Sequence, residues 1–396
     1  MTERFDAGRL AVIDRALARF VDEGVLPGWQ LVVGHAGEVV HAASHGYADR
    51  EAGRGVGPDT LYAIHSLTKP VTAVAVMTLV EQGLVDLATP VRELIAAFAD
   101  ARVVRRGNAE RAITAPAAEP VRLWHLLSHT AGLSYGYEVA ELDRPGRAEP
   151  WETHVPEATL AEAADAIASA PLLYEPGTSW NYSRAFDVLG RVVEVVSGRP
   201  FDSYLRERVL EPLGMTDTHF VVPEADRDRV APVYLAAAHE EGAGLCAVPV
   251  ALTPPAFPSG GGGLTSTARD YHAFGRLFTG GGEVDGERVL APATVAHMRR
   301  NHLPGGADIE SLGGPHFANS YAGLGHGLGL GVVIDAVANG HVRHEGEVFW
   351  AGAAGATFWA DRRTDVVVVF LANLVPHTTY PVDGRLRTLV NQALLG

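Results

Sequence analysis

Cysteine is nearly absent from this 396-residue chain, and the single Cys246 excludes an internal disulfide framework and any site built from several thiolates. Its neighbours Gly244, Leu245, Ala247 and Val248 are small or apolar, so a buried, inert thiol is expected. Positive charge is also scarce. Thirty-two Lys and Arg stand against 47 Asp and Glu, a formal charge of -15, which argues against nucleic acid and against anionic membrane surfaces as partners. No apolar run reaches the ~18 residues needed to span a bilayer. The opening M-T-E-R-F-D-A-G-R-L has acids and no apolar signal core, so a cytoplasmic location is expected. The seventeen histidines include no H-E-x-x-H and no tight metal spacing. The glycine-rich stretch Gly260 to Gly263 lacks both the lysine of a phosphate-binding loop and the spacing of a dinucleotide fingerprint. Neither metal nor cofactor is implied.

What is abundant is apolar sequence, 47% of the chain, enough for a large core at a length that allows two or three domains. The densest part is Ala63 to Val80, reading A-I-H-S-L-T-K-P-V-T-A-V-A-V-M-T-L-V. Pro70 is tolerated only in the first turn of a helix, so a helix is expected to start at about Ser66 and to stop at Gln82-Gly83. With apolar residues on every side it should run through the middle of the protein. Ser66 and Lys69 are three positions apart, hence on one face, at the end where free amide hydrogens and the positive helix dipole converge. A serine and an amine so placed suit a nucleophile with its base. An isolated S-x-x-K also arises by chance, so the remainder of the chain must decide.

Around this helix the periodicities predict an α+β fold. Leu10, Ile13, Leu17 and Phe20 mark an amphipathic helix ending near Gly24, and Gln30 to Val33 with Glu38 to Ala43 form a hairpin around His35-Ala36-Gly37. From Leu84 to about Phe257, helical patterns, clearest at Val121 to Ser128 and Arg184 to Ser197, alternate with Pro- and Gly-rich connections at Ala115 to Pro120 and Arg144 to Pro156. A helix is expected near Ala268 to Phe278. Strand signals return at Gly329 to Val337 and His341 to His344, around an Asn339-Gly340 hairpin signal, then at Thr357 to Ala360 and Val366 to Asn373. A final helix spans Gly384 to Leu395. The expected architecture is an antiparallel sheet flanked by terminal helices, from residues 1–64 and 258–396, with a mainly helical domain, residues 65–257, inserted into it. The cleft between them is the natural place for a site.

A lysine base at neutral pH needs its pKa lowered by about 2 to 3 units, which burial and a second ionisable group can supply. Tyr182, in P-G-T-S-W-N-Y-S-R just before the helix near Arg184, is the candidate partner; a phenol beside an ammonium ionises more easily and titrates with it. A tyrosine at a helix start is commonly only a packing residue, so its company in the chain decides. Phe349-Trp350-Ala351-Gly352-Ala353-Ala354-Gly355 lies between two strand signals, where glycines let a strand edge approach a substrate and leave amides free for an oxyanion. A tight sheet bend around a buried tryptophan is the alternative.

Taken together, Ser66-Leu67-Thr68-Lys69, Tyr182-Ser183 and Trp350-Ala351-Gly352 resemble, in order and distance, the serine β-lactamase and penicillin-binding-protein superfamily. The nearest likeness is to the class C β-lactamase-like esterases, the family VIII carboxylesterases. Leu126-Leu127-Ser128-His129-Thr130-Ala131-Gly132-Leu133, Pro176-Gly177-Thr178 and Gly260 to Thr267 look like the same family, so the resemblance spans nearly the whole chain. It implies a β-lactamase/transpeptidase-like fold, with Ser66 as acylated nucleophile and Lys69 and Tyr182 sharing the base and acid work. It further implies an oxyanion hole from the amides of Ser66 and Ala353.

Two positions depart from the family pattern. Trp350 stands where the lactamases and peptidases carry the lysine of K-T-G, and Arg184 replaces the asparagine of Y-x-N. An apolar wall in place of a cation favours neutral, partly apolar esters over β-lactams, with Trp350, Gly352 and Arg184 as substrate-binding candidates. Gly132-Leu133-Ser134-Tyr135-Gly136 also fits the G-x-S-x-G elbow of α/β-hydrolases, but that elbow needs a buried strand before the serine, and Val121 to Thr130 reads as helix. His65 and His129 are candidates for lining the cleft. The expected activity is a serine carboxylesterase acting on a small-molecule ester. Acyl transfer from the same acyl-enzyme is the alternative, followed by amidase, D-amino-acid peptidase or weak β-lactamase activity, and, remotely, a non-catalytic binding module. No signal bears on oligomeric state.

Overall fold

The protein is described from a computed structural model covering residues 5–106, 112–135, 159–236, 245–248, 258–313, 321–376 and 382–395. The expected loop at Arg144 to Pro156 lies outside these residues.

The amphipathic start of the chain forms α1, Ala7–Asp22, capped by the Asp6 side chain on Arg9 N and burying Leu10, Ile13, Leu17 and Phe20. The hairpin follows as β1, Gly28–His35, and β2, Glu38–Asp49, turned by Ala36 and Gly37, both at positive φ. A two-residue strand β3, Arg54–Gly55, then pairs with the end of β2.

Later parts of the chain supply β4 Leu324–His326, β5 Gly331–Val333, β6 Val348–Ala351, β7 Thr357–Asp361 and β8 Val366–Ala372. The eight strands form one antiparallel sheet in the order β4-β5-β6-β7-β8-β1-β2-β3. Its centre is the β1–β8 ladder, in register from Trp29 opposite Ala372 to His35 opposite Val366. Both strands are buried on both faces, which explains their nearly unbroken apolar sequence.

Alternation along these strands sorts two cores. Leu31, Val33, Val366, Val368 and Phe370 face α1 and the C-terminal helix, which carries Leu386 and Val390. Val32, Val367, Val369 and Leu371 face the other way, onto Tyr271, Phe274 and Phe278. The sheet is therefore a middle layer, flanked on one face by the two terminal helices, as the sequence leads one to expect.

The central helix α2 spans Thr68–Glu81, preceded by a 3-10 turn over His65–Leu67, and every residue from Thr68 to Leu79 is buried. Pro70 is its third residue, and Gly83 at φ +68° follows its end. Between α2 and residue 236 come α3 Leu123–Leu127, α4 Leu160–Ser169 and α5 Ala185–Ser197, the last closed by left-handed Gly198. Beyond that part lie α6 Ala268–Thr279, whose N-cap is Thr267, and the C-terminal α7 Val382–Ala393.

Three local expectations are corrected. Asn339-Gly340 is no hairpin: Asp335 accepts from Val337 N and Ala338 N and caps a helical turn over Ala336–Asn339, which Gly340 ends, and His341 to His344 form no strand. Ala115 and Pro116, expected in a connection, belong to a strand over Ile113–Pro116 that pairs with Arg102–Arg106. Cys246 is exposed rather than buried, because its strand, Cys246–Val248, is the outer one of a small three-stranded sheet. Among the described residues, no helix is long and apolar enough to cross a membrane.

Gly329 tests how tightly α2 is enclosed. It sits at φ +88°, and an added Cβ would fall 2.2 Å from the Cβ of Ala73 on α2. Gly329→Ala should destabilise the protein by about 2 to 4 kcal/mol, read as a lower thermal midpoint, through overpacking combined with left-handed strain.

Candidate active site

Three chain regions meet at Ser66. The 3-10 turn presents its hydroxyl beside the start of α2, and Lys69 Nζ donates to Ser66 Oγ at 3.1 Å from the same helix face. Tyr182, reaching in from the segment before α5, donates its phenol to Ser66 Oγ at 2.6 Å. The third region is the end of β6, which continues through Gly352 into a turn closed by Gly352 N on Ala356 O and Gly355 N on Gly352 O.

Gly352 is required here for a reason other than the expected approach to a substrate. A Cβ on it would fall 2.4 Å from the carbonyl oxygen of Ile64, so its bareness brings the turn against the chain just ahead of Ser66. Among the described residues, the amides of Ser66 and Ala353 have no assigned acceptor. An oxyanion hole needs two such donors, and these amides are the candidates for it.

The electrostatics separate the two ionisable partners. Lys69 is 1% exposed. Burial pushes its amine down to about 7, against the opposing pull of Asp187. Burial pushes the Tyr182 phenol up, outweighing its hydrogen bond to Ser66. This reverses the expectation that the tyrosine ionises more easily beside the lysine: near neutrality the phenol keeps its proton while the amine can lose one. In its neutral form Lys69 can still donate to Gly261 O, 2.6 Å away, and turn its lone pair to Ser66.

An aromatic wall surrounds the tyrosine. His129 packs on its ring at 4.8 Å, Tyr135 at 5.3 Å and Trp350 at 5.9 Å. His129 is fully buried, its imidazole held well below the ordinary histidine value by burial and by the nearby His326. It lies behind Tyr182, and its carbonyl accepts from Asn181 N while its Nδ1 meets Ser183 Oγ at 3.2 Å. His65, next to the serine, sits at φ +47°. Arg184 is placed against the ring of Tyr135, 5.9 Å from its centre.

Two residues near the lysine went unrecognised in the sequence. Tyr135, whose ring lies 5.6 Å from Lys69 Nζ, stands inside the very G-x-S-x-G match set aside on account of Ser134. Asp187 is a buried acid on the apolar face of α5, and that misplaced charge was the available signal. Ser134 itself is buried and follows α3 rather than a strand, so the elbow geometry is missing. Among the described residues, no group of three or more His, Cys, Asp or Glu could hold a metal ion.

The Beta-lactamase family model matches residues 13–392. The chain belongs to that family. It is 35% identical over 377 residues to Protein Rv1367c of Mycobacterium tuberculosis, covering 94% of this chain and 92% of the relative. It is 34% identical over 390 residues to Esterase EstB of Burkholderia gladioli, covering 93% and 90%. The solved structure of EstCE1, a hydrolase with promiscuous acyltransferase activity, superposes with a TM-score of 0.79 at 28% identity, over 98% of this chain and 99% of that one. The β-lactamase-like fold is thus shared across the full chain, including the segments that carry Ser66, Tyr182 and Trp350.

Gly352→Ala probes the joint between the β6 turn and the serine. Its kcat for any acyl substrate should fall roughly tenfold or more, because the turn must retreat from Ile64 and take Ala353 N with it. Wild-type kcat in a folded Gly352→Ala protein would show that this approach is not needed.

Proposed function

We propose that the protein is a serine carboxylesterase that works through an acyl-enzyme on Ser66. The observation carrying this reading is the convergence of Lys69 and Tyr182 on one serine oxygen, at 3.1 and 2.6 Å. Neutral Lys69 accepts the Ser66 proton as Oγ attacks the ester carbonyl, and the amides of Ser66 and Ala353 receive the oxyanion. When the tetrahedral intermediate collapses, Tyr182 gives its proton to the departing alkoxide and is refilled from the Lys69 ammonium. Water then enters, loses its proton to the same pair and releases the carboxylic acid, restoring the serine.

The substrate reading rests on Trp350. Its ring lies parallel to His129 at 6.5 Å and edge-on to His326 at 5.2 Å, so this side of the site is aromatic and holds uncharged imidazoles. Short, neutral acyl esters suit such a wall better than a β-lactam carboxylate does. Esterase EstB supports the hydrolytic reading, and the acyltransferase activity of EstCE1 supports a second one, in which an alcohol takes the place of water on the same acyl-enzyme.

p-Nitrophenyl esters of graded chain length, run beside nitrocefin, test the proposal. Ser66→Ala should lose roughly a thousandfold or more of the ester rate, whereas Ser134→Ala keeps most of it. The reverse pattern, or faster turnover of nitrocefin than of the esters, would contradict it. Because the amine must be neutral to accept a proton, kcat/KM should fall on the acid side with a midpoint near 7, where Lys69 titrates.

A further inference from the structure

Asp187 takes no part in the steps above, yet it is a buried carboxyl in the first turn of α5, the helix that follows Tyr182. Its Oδ1 accepts from Ser259 Oγ at 2.6 Å and from Gly261 N at 3.1 Å. The carbonyl of that same Gly261 accepts the Lys69 ammonium or amine hydrogen at 2.6 Å. Residues 259–264 thus form a strap between the two helices that carry the site. On the α2 side, Thr72 Oγ1 donates to Gly260 O at 2.8 Å and Leu264 N donates to Thr68 Oγ1 at 3.1 Å. On the α5 side a Cβ at Gly260 would fall 2.3 Å from the Phe186 carbonyl oxygen, so the strap lies hard against the helix.

We infer that Asp187 is a positioning residue for ester cleavage: through the 259–261 strap it holds the Gly261 carbonyl on Lys69, and it sets a carboxylate beneath the amine. This rests on the reading of Lys69 as the base. The other groups that face the amine are Tyr182, which keeps its proton, the Tyr135 ring, and His65 and His129, both held below the ordinary histidine value. Arg184 lies over the Tyr135 ring, 5.9 Å from its centre. The field of Asp187 favours the ammonium, so it opposes the effect of burial on the amine. An uncompensated buried amine would be a weaker base and would drive proton abstraction less.

The test is the pH dependence of kcat/KM for p-nitrophenyl butyrate with wild type, Asp187→Asn, Ser259→Ala and Lys69→Ala, each checked for folding by circular dichroism. Asparagine keeps an acceptor for the strap and removes the charge. The acid limb of Asp187→Asn should therefore move to lower pH by roughly half a pH unit or more, with KM nearly unchanged. Ser259→Ala keeps the charge and loosens the strap, so its kcat should fall several-fold while its limb stays near the wild-type position. A limb that does not move in folded Asp187→Asn would overturn the inference. If Asp187→Asn does not fold, Asp187→Glu decides: a displaced acceptor should lower kcat, and wild-type kcat would overturn the positioning role. An unchanged acid limb in the residual activity of Lys69→Ala would overturn both this inference and the assignment of the base.

Discussion

Everything in the site depends on keeping one amine out of water. Lys69 lies on a helix with no wet face, and the cost of charging it there lowers its affinity for a proton by several powers of ten, about 5 kcal/mol between the two protonation states. In the proposed mechanism, that cost turns an ordinary lysine into a base usable at neutral pH. It also explains why α2 is enclosed by both neighbouring layers: an exposed turn here would hydrate the amine and remove the effect. The same burial acts in the opposite sense on Tyr182, so a single physical cause separates an acceptor from a donor around the Ser66 hydroxyl.

Assembling the site requires tight backbone approaches and some strain. His65 and His129 hold left-handed conformations without being glycine, at a cost of about 1 to 3 kcal/mol each, and both border the serine or the tyrosine. The surrounding packing fixes them. His129 grips the residues on either side of Tyr182, and Gly352 allows the β6 turn to press on Ile64. The terminal helix is linked to this turn as well, since Thr357 Oγ1 bridges Trp350 O and the Asp383 carboxylate on α7. Distant parts of the chain therefore position the same few atoms.

The layer arrangement was legible because its signals are local. The spacing of Leu10, Ile13, Leu17 and Phe20, the unbroken apolar run of α2 and the left-handed Gly198 each settle their own element, and Ser66 and Lys69 share a face through helix geometry alone. Tyr182 was readable only in combination with them. The misreadings came from long-range facts. The burial of Tyr182 raises its pKa, which no neighbour in sequence reveals. Cys246 looked buried from its apolar neighbours, but its strand lies at a sheet edge. Asn339-Gly340 carries the composition of a hairpin, yet Asp335 had already started a helical turn. Asp187 acts on Lys69 through a strap more than seventy residues away in the chain, so its role becomes visible only when α2 and α5 are set side by side.

In the proposed reaction, ester cleavage passes through a covalent ester on Ser66. The most direct measurement is mass spectrometry of the intact chain, acid-quenched within milliseconds of mixing with excess p-nitrophenyl butyrate, followed by peptide mapping. One butyryl group per chain is expected, located on the peptide containing Ser66 and lost on further turnover. Turnover with no adduct, or with the acyl group on the peptide containing Ser134, would contradict it.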